Sequence, residues 1–327
     1  MTTPTIDSLL NLTNGDMKKI NALITDNMQS EVPLIPQLAG YLISSGGKRL
    51  RPMLTIATAQ MCGDKTGLAP LYGTCVEFIH TATLLHDDVV DESDIRRGKE
   101  SAHTVWGNQA AVLVGDFLFS KAFQLMARAD NANATTVLAN ASARLAEGEI
   151  LQLLTTNNIN TSMAEYMEMI SAKTAVLFAS ACKVGGVLSN VNIEQQNALY
   201  SFGENLGLAF QMIDDALDYD GEIENIGKNA GDDFKEGKIT LPLLAVLEKA
   251  NTEEKSFLHR CIVDKNQTED DLNKMITLID KYDAINITHE HARIFGEKAK
   301  ESLSIFKNSE HKTALFHAVD YAISRAY

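Results

Sequence analysis

Apolar residues recur at every third or fourth position along almost the whole chain, as they do at Ile20, Leu23 and Ile24. This spacing puts them on one face of a helix, whereas the residues of a half-buried strand would alternate between apolar and polar. The long segments are rich in Ala, Leu, Ile, Met, Glu and Lys, and only 6% of the residues are aromatic, which also favours helices. The sequence therefore predicts an all-α protein.

Four segments of more than five turns are apolar around most of their circumference, which is typical of helices inside a bundle. They cover residues 69–92, 107–129, 164–188 and 194–219. The breaks between helical segments are short, and none resembles a long flexible linker. We therefore expect a single all-helical domain over residues 1–327.

A short acidic pattern, Asp-Asp-x-x-Asp, occurs twice in the chain, and both copies have apolar neighbours. The copies consist of Asp87, Asp88 and Asp91, and of Asp214, Asp215 and Asp218. On a helix, the first and last Asp of each copy share a face. Carboxylates crowded into apolar surroundings repel one another and need cations. A surface charge run or an adventitious Ca²⁺ site is the alternative, but the presence of two such clusters in apolar helices disfavours it.

The ligand type of these clusters indicates which cation they hold. Oxygen ligands without His or Cys favour Mg²⁺, which completes its shell with water and substrate phosphates. The Asp spacing lacks the Gly and the terminal Glu of an EF-hand loop. The pattern therefore points to a diphosphate substrate.

Basic side chains occur where a diphosphate would need them. The segment 46–52 carries three positive charges beside a glycine pair that permits close approach of a phosphate, although it could also be a structural turn. It is not a P-loop, because Leu42 stands where a P-loop has its first Gly, and Arg49 follows Lys48 where a P-loop has Ser or Thr.

The loop 227–238 is expected to form a lid, with a flexible solvated loop as the alternative. Further polar candidates are Arg96, Arg97, His80, Lys173, Thr174, Gln211, Lys228 and Lys238.

The overall charge and the cysteines limit the class of protein. The formal net charge of −14 disfavours binding to nucleic acid or to an anionic membrane. The four cysteines lie far apart, which fits a reduced protein, and the N-terminus lacks the basic start and apolar run of a signal peptide. We therefore expect a cytoplasmic protein.

The motifs GGKRLRP, LLHDDVVDESDIRRGK, FQMIDDALDY and GKNAGDDFKEGKITLPLL occur in a defined order between about Ala39 and Leu244. Together they resemble the trans-polyprenyl diphosphate synthases, and within them the long-chain octaprenyl and decaprenyl diphosphate synthases. The resemblance implies an isoprenoid-synthase-type helical bundle around a central apolar cavity. It also implies condensation of isopentenyl diphosphate with an allylic diphosphate such as farnesyl or geranyl diphosphate, assisted by two or three Mg²⁺ ions.

The resemblance also implies a role for each matching residue. The six Asp residues of the two clusters would bind Mg²⁺ and, with Lys173, support catalysis. Isopentenyl diphosphate would contact Lys48, Arg51, His80 and Arg97. The allylic diphosphate would contact Arg96, Lys173, Thr174, Gln211, Lys228 and Lys238. Metals and cations would stabilise the departing diphosphate, so that an allylic cation forms, the double bond of isopentenyl diphosphate attacks it and a proton is lost.

We expect a tail of about eight to ten isoprene units, because small residues lie within about two turns of Asp87. The resemblance implies that this tail serves as a quinone side chain. Ala82 and Thr83 are small where the short-chain members of the family have large aromatic residues. Phe123 and Met126 are the candidates for a deeper floor, with ordinary core packing as the alternative. The resemblance and the apolar helix 107–129 also suggest a homodimer that contacts membranes only transiently, during product release.

Several other functions remain open at this point. The chain could be a short- or medium-chain synthase, or the catalytic subunit of a hetero-oligomeric synthase. A terpene cyclase would share the ionisation chemistry, but Lys48 and Arg51 suit a second diphosphate that a cyclase does not bind. A non-catalytic subunit would be expected to have lost one Asp cluster, and a structural scaffold would need neither.

Overall fold

Helices provide almost all the regular structure in the computed structural model, which describes residues 5–44, 47–96, 98–219 and 231–325. The first part contains α1 (Asp7–Asn27), α2 (Leu34–Ser44), α3 (Leu50–Met61), α4 (Ala69–Val90), α5 (Ala102–Trp106), α6 (Asn108–Arg128) and α7 (Ala132–Thr155). The second part contains α8 (Met163–Ile170), a π-helical turn (Ser171–Ala175), α9 (Val176–Leu188), α10 (Ile193–Leu217), α11 (Asp232–Lys235), α12 (Leu241–Lys249), α13 (Thr252–Ile262), α14 (Asp271–Lys281), α15 (Ala284–Ser302) and α16 (Glu310–Ser324). The all-α prediction is confirmed.

A small antiparallel hairpin follows α4. Its strands are β1 (Ile95–Arg96) and β2 (Lys99–Glu100), and Ile95 pairs with Glu100. The hairpin carries Arg96 back toward the end of α4, where the first Asp cluster lies.

The four segments predicted to be interior helices correspond to α4, α6, the α8–α9 stretch and α10. The helix α4 packs along α6 and α3, whereas α9 packs against α3, α7 and α10, and α10 packs against α15. The third segment differs from the prediction because the π-helical turn divides it. A π-helical turn inserts one extra residue into the helical repeat, and such turns are often found at functional sites.

Side-chain caps fix the start of several helices. Ser162 caps α8, Asn192 caps α10 and Asn251 caps α13, each in a capping box with the Glu or Gln three residues later. These caps satisfy backbone N–H groups that have no partner inside the helix. They lie at the three breaks that precede α8, α10 and α13.

One group of buried apolar residues lies between α1, α2, α3, α4, α6, α7 and α9, and another lies between α1, α3, α9, α10, α15 and α16. Both Asp clusters lie at the edge of these groups, because Asp91 caps the C-terminus of α4 and Asp218 caps the C-terminus of α10. The C-terminal end of a helix carries the negative end of its dipole. Both clusters therefore add negative charge where the backbone is already negative, and need cations.

Two helical stretches, Asn108–Arg128 and Met163–Leu188, are long and apolar enough to cross a membrane when judged by length and composition alone. The most apolar window of Met163–Leu188 is 83% buried within the protein, as expected of a core helix. The corresponding window of Asn108–Arg128 is 44% buried, and α6 therefore presents an apolar outer face.

Candidate active site

The first Asp cluster lies at the end of α4 in an environment that resists negative charge. Asp88 is buried, and Asp87 and Asp91 are half-buried. Burial raises the pKa of Asp87 and of Asp88 above the ordinary value, despite the nearby Lys173 and Arg96. A cation that ligates these carboxylates would remove this penalty.

Basic side chains from two other segments contact this cluster. Nε of Arg96 lies 2.5 Å from Oδ1 of Asp88, and Nζ of Lys238 lies 2.8 Å from Oδ2 of Asp91. Burial opposes ionisation of Asp91, but Lys238 and Lys173 outweigh it and hold the pKa of Asp91 below its ordinary value. The hairpin and the segment before α12 thus supply counter-ions to the end of α4.

The helix α7 adds two residues to the cluster, Glu149 and Gln152. Nζ of Lys173 donates to Oε2 of Glu149 at 2.7 Å, and Nε2 of Gln152 donates to Oδ1 of Asp91 at 3.3 Å. Burial and the charge of Asp87 raise the pKa of Glu149 to about 7. Glu149 also forms a hydrogen bond with Asp87. The ammonium group of Lys173 is therefore held between α7 and the end of α4.

Gly148 determines how closely α7 approaches the π-helical turn that carries Lys173. A Cβ added at Gly148 would lie 2.5 Å from the backbone N of Lys173 and 2.7 Å from the backbone C of Ala172. Only glycine fits this position without displacing the backbone. The π-helical turn and Gly148 together position Lys173 beside Glu149.

The second Asp cluster, at the end of α10, is bound by neutral groups and by one arginine. Asp215 is buried and accepts hydrogen bonds from Tyr166 at 2.6 Å and from Gln211 at 2.8 Å. Burial and Asp233 raise the pKa of Asp215 to about 7. Thr174 donates to Oε1 of Gln211 at 2.8 Å. The π-helical turn is thus linked to the second cluster as well as to the first.

The other two Asp residues of this cluster contact more distant parts of the chain. Oδ1 of Asp214 accepts from Arg325 at 2.6 Å, and the Arg325 guanidinium lies 3.8 Å from the centre of the Phe210 ring. Oδ2 of Asp218 accepts from the backbone N–H of Asp233 at 3.0 Å. The segment that begins at Gly231 and the C-terminal end of α16 therefore both reach the end of α10.

A group of basic residues lies at the start of α3. Nη1 of Arg51 lies 3.2 Å from Nε2 of His80, and the Arg51 guanidinium packs over the Phe178 ring. Nζ of Lys48 lies 4.3 Å from the centre of the Tyr321 ring. Burial, and then the nearby Arg325, lower the pKa of Lys48. Two neighbouring cations that repel each other in this way favour an anionic ligand.

The structure places most of the predicted site residues in three neighbouring groups, whereas Arg97 and Lys228 lie outside the described residues. Of the four residues predicted to set chain length, Ala82 and Met126 are buried and Thr83 is half-buried. The side chain of Phe123 is 44% exposed on the outer face of α6. Its ring lies next to Phe119 at the surface, which does not suit a floor inside the bundle.

The sequence argument missed Glu149, Gln152, Tyr166, Asp233 and Arg325. The first two had a detectable signal, because two polar residues three positions apart share one face of the otherwise apolar end of α7. Tyr166 and Arg325 had none, since their partners lie 49 and 111 residues away.

The comparison with known proteins agrees with this arrangement. The polyprenyl synthetase family model matches residues 32–279. The chain belongs to the polyprenyl synthetase family. It is 39% identical to the octaprenyl diphosphate synthase of Haemophilus influenzae over 322 residues, which cover 98% of both chains. The resemblance predicted from the motifs is therefore confirmed, as is the expectation of a trans-prenyltransferase.

Solved structures of the family have the same fold over the whole chain. The crystal structure of a polyprenyl synthase from Caulobacter crescentus CB15, complexed with calcium and isoprenyl diphosphate, is 47% identical and covers 100% of both chains with a TM-score of 0.97. A decaprenyl diphosphate synthase from Rhodobacter capsulatus is 42% identical, covers 99% of this chain and 100% of its own, and has a TM-score of 0.94. The isoprenoid-synthase-type bundle is confirmed.

The donor set at the two helix ends fits Mg²⁺. In the described parts of the chain, no three acidic, His or Cys side chains already converge on a point that could hold an ion. Instead, Asp88, Asp91 and Asp214 each contact a basic side chain. Carboxylate oxygens at the negative ends of two helices, several of them buried, are the ligands that a hard divalent cation prefers.

Proposed function

We propose that this chain is a Mg²⁺-dependent synthase that condenses isopentenyl diphosphate with an allylic diphosphate, farnesyl or geranyl diphosphate, to give an all-trans polyprenyl diphosphate of about eight to ten units. The observation that supports it most directly is the pairing of carboxylates with cations at both helix ends. Buried carboxylates, and basic side chains brought to them from three other segments, suit a substrate that carries a diphosphate and its metal ions.

Each group of residues has a distinct task in this proposal. Asp87, Asp88 and Asp91 on α4, and Asp214, Asp215 and Asp218 on α10, would hold two or three ions between them. When bound, these ions neutralise the diphosphate and make it a better leaving group. The similar Caulobacter protein, which was crystallised in complex with calcium and isoprenyl diphosphate, supports this assignment.

The basic residues would orient the two substrates. Lys173, Thr174, Gln211, Arg96, Lys228 and Lys238 would contact the allylic diphosphate. Thr174 and Gln211 are already joined by a hydrogen bond, and Lys173 is fixed by Glu149. Lys48, Arg51, His80 and Arg97 would hold isopentenyl diphosphate, so that its double bond faces the allylic carbon.

The reaction then needs no protein nucleophile. The allylic C–O bond breaks as the diphosphate leaves with the electron pair, and the double bond of isopentenyl diphosphate forms the new C–C bond. A proton is lost to restore a double bond, and the released diphosphate can accept it. Apolar helix interiors exclude water, which would otherwise react with the allylic cation.

The proposal is tested by incubating the purified protein with isopentenyl diphosphate and either farnesyl or geranyl diphosphate, with and without Mg²⁺. We expect a long polyprenyl product that is lost when the metal is chelated. Asp87→Ala and Asp214→Ala should each lower kcat by orders of magnitude with a smaller effect on KM, because they remove ligands that act mainly in the transition state.

The matched control for these variants is Asp94→Asn. Asp94 is an exposed carboxylate three residues beyond the first cluster. This variant should keep nearly normal turnover. Normal turnover in Asp87→Ala or Asp214→Ala would contradict the metal assignment, and absence of any prenyl transfer by the wild-type protein would refute the function.

We further propose a homodimer formed through α6 and α7. Leu113 on α6 is 66% exposed and Leu154 on α7 is 68% exposed, and Ile150 and Leu153 are also exposed. Exposed apolar surface of this kind commonly marks a contact between subunits, and two-fold pairing is the commonest soluble assembly.

We place the enzyme in the cytoplasm, with transient membrane contact during release of a product that supplies a quinone side chain.

A further inference from the structure

The turn 231–238, which ends with Lys238, brings a basic side chain to the first Asp cluster. Nζ of Lys238 lies 2.8 Å from Oδ2 of Asp91 and 2.5 Å from Oε2 of Glu236. Burial opposes the charge of this ammonium group, but the surrounding carboxylates, Asp233 first among them, outweigh burial and hold the pKa of Lys238 above its ordinary value. A lysine side chain is a flexible stem with a point charge at its end, so the position of the charge depends on where the backbone of the turn is held.

The turn is too short to hold its own shape. Its helix, α11, has only four residues, and isolated helices of this length do not form in water. Two backbone hydrogen bonds close the turn, from Gly237 to the carbonyl of Phe234 at 3.1 Å and from Lys238 to the carbonyl of Asp233 at 2.8 Å. Contacts from neighbouring segments must therefore fix its position.

Asn157, which follows the end of α7, contacts the residue directly before Lys238. Its backbone N–H donates to the carbonyl of Gly237 at 2.8 Å. Asn157 has a φ of +61°, a left-handed conformation that Asn adopts more readily than most residues. Its side chain lies directly against Gly237, where an added Cβ would be 2.9 Å from Cγ of Asn157. Since α7 also carries Gln152, which donates to Asp91, the same helix fixes both partners of the ion pair with Lys238.

Gln267, in the loop between α13 and α14, makes the second contact. Its Nε2 donates to the carbonyl of Phe234 at 3.0 Å and to the carbonyl of Cys261, on α13, at 3.2 Å. Both donors of the side-chain amide are therefore used, and they connect the turn to α13. The Phe234 carbonyl already accepts from Gly237, so the bond from Gln267 is not needed to satisfy a buried backbone group. Its effect is to fix the turn relative to α13.

The loop that carries Gln267 is itself held in place. Nη1 and Nη2 of Arg260 donate to Oδ2 and Oδ1 of Asp271 at 2.9 and 2.7 Å, and the N–H of Thr268 donates to Oδ2 of Asp271 at 2.7 Å. A bidentate pair of this kind fixes geometry as well as adding binding energy. None of the residues assigned to a metal ion or a diphosphate lies on α13 or α14. Gln267 therefore links these helices to the site through the turn.

We propose that Gln267 and Asn157 are positioning residues, which hold the 231–238 turn so that the ammonium group of Lys238 stays beside Asp91 and meets the allylic diphosphate. The inference rests on the proposed function. It assigns neither residue a contact with substrate, because both act through Lys238.

The test is the steady-state rate of prenyl transfer as a function of the allylic diphosphate concentration, at saturating isopentenyl diphosphate and Mg²⁺. Gln267→Leu nearly keeps the size of the side chain but removes both donors. We expect it to lower kcat/KM for the allylic diphosphate about three- to tenfold, the factor that corresponds to one hydrogen bond. KM for isopentenyl diphosphate, measured separately, should stay within about twofold of the wild-type value.

Asn157 provides a second pair of variants, which test the proposal even if Gln267→Leu does not fold. Asn157→Val disfavours the left-handed backbone and should displace the N–H from Gly237, with a loss of kcat/KM similar to that of Gln267→Leu. Asn157→Gly allows the left-handed backbone and should retain more activity than Asn157→Val.

Two comparisons separate positioning from a general loss of stability. Gln196 is also half-buried, and its amide also donates to a backbone carbonyl, that of Val191, at 2.9 Å. Gln196→Leu should change the melting temperature by a similar amount and leave kcat/KM unchanged. In a Lys238→Ala background, Gln267→Leu should cause no further loss, because its effect passes through Lys238.

Wild-type kcat/KM in a folded Gln267→Leu or a folded Asn157→Val protein would overturn the inference. An equal loss in Gln196→Leu, or the same loss from Gln267→Leu with and without Lys238, would also overturn it. Failure of the wild-type protein to elongate any primer would instead refute the proposed function, so the two failures are distinguishable.

Discussion

Replacing Gly148 by Ala should impair turnover because it separates α7 from the π-helical turn. The new Cβ would lie 2.5 Å from the backbone N of Lys173 and 2.8 Å from its Cα, whereas ordinary contact begins at 3.4 Å. All the opposing atoms belong to the backbone, so no side chain can rotate away. The two segments must therefore move apart by about 0.9 Å, and overpacking of this kind costs about 1–3 kcal/mol.

The displacement acts directly on the site, because Lys173 and Glu149 are bonded across this contact at 2.7 Å. Misplacement of catalytic groups by about 1 Å can cost about 100-fold in rate. We therefore expect Gly148→Ala to lower kcat by about one to two orders of magnitude, with a modest fall in melting temperature. Steady-state prenyl transfer per folded enzyme, with folding checked by thermal melting, measures both effects.

Two glycine variants provide controls for this prediction. Gly15 lies on the exposed side of α1 with nothing within 4 Å of its added Cβ, so Gly15→Ala should stabilise the protein by up to about 1 kcal/mol and leave turnover unchanged. Gly185→Ala would place Cβ 2.6 Å from the backbone N of Ala59, a similar backbone clash away from Lys173. Wild-type kcat in Gly148→Ala, or an equal loss in Gly185→Ala, would refute the argument.

Three other outcomes follow from the structure. Ala82→Phe should shorten the main product to about three or four units while condensation continues, and an unchanged product length would show that the tail does not pass this level of α4. Lys281 and Tyr282 bind the carboxylate of Glu254 and lower its pKa to about 2 from 4.5, so the stability it contributes is complete above pH 4.5 and is lost as the pH falls toward 2. The free energy of unfolding of Glu254→Gln should thus vary less with pH over this window, and an identical pH dependence would contradict the assignment. Leu154→Glu should yield monomers in light scattering at micromolar concentration, and a persistent dimer would exclude this surface of α7 as the interface.

The sequence predicted the helices well because its apolar spacing is strong and its breaks are marked by caps. The interior helices α4, α6 and α10 end within a few residues of the predicted segments. The π-helical turn was not predictable, because Lys173 and Thr174 look like ordinary helical residues until the packing of Gly148 is known.

The candidate site was predictable where its residues are neighbours in sequence, and less so where they meet only in space. The spacing within each Asp cluster carries its own signal, whereas Arg325 reaches Asp214 only because α16 folds back across the bundle. Phe123 illustrates a different limit, since hydrophobicity alone does not distinguish a side chain inside the bundle from one on an exposed apolar face.

If the chain binds metal and diphosphate as proposed, the basic side chains paired with the Asp residues predict that the two bind cooperatively. An ion that ligates Asp88, Asp91 or Asp214 would compete with Arg96, Lys238 or Arg325 for the charge of the same carboxylate, so part of its binding free energy would go into weakening an existing ion pair. A diphosphate that arrives with the metal offers oxygens to the displaced cations and offsets that loss. Each ligand therefore raises the affinity of the other by the same factor, as thermodynamic linkage requires.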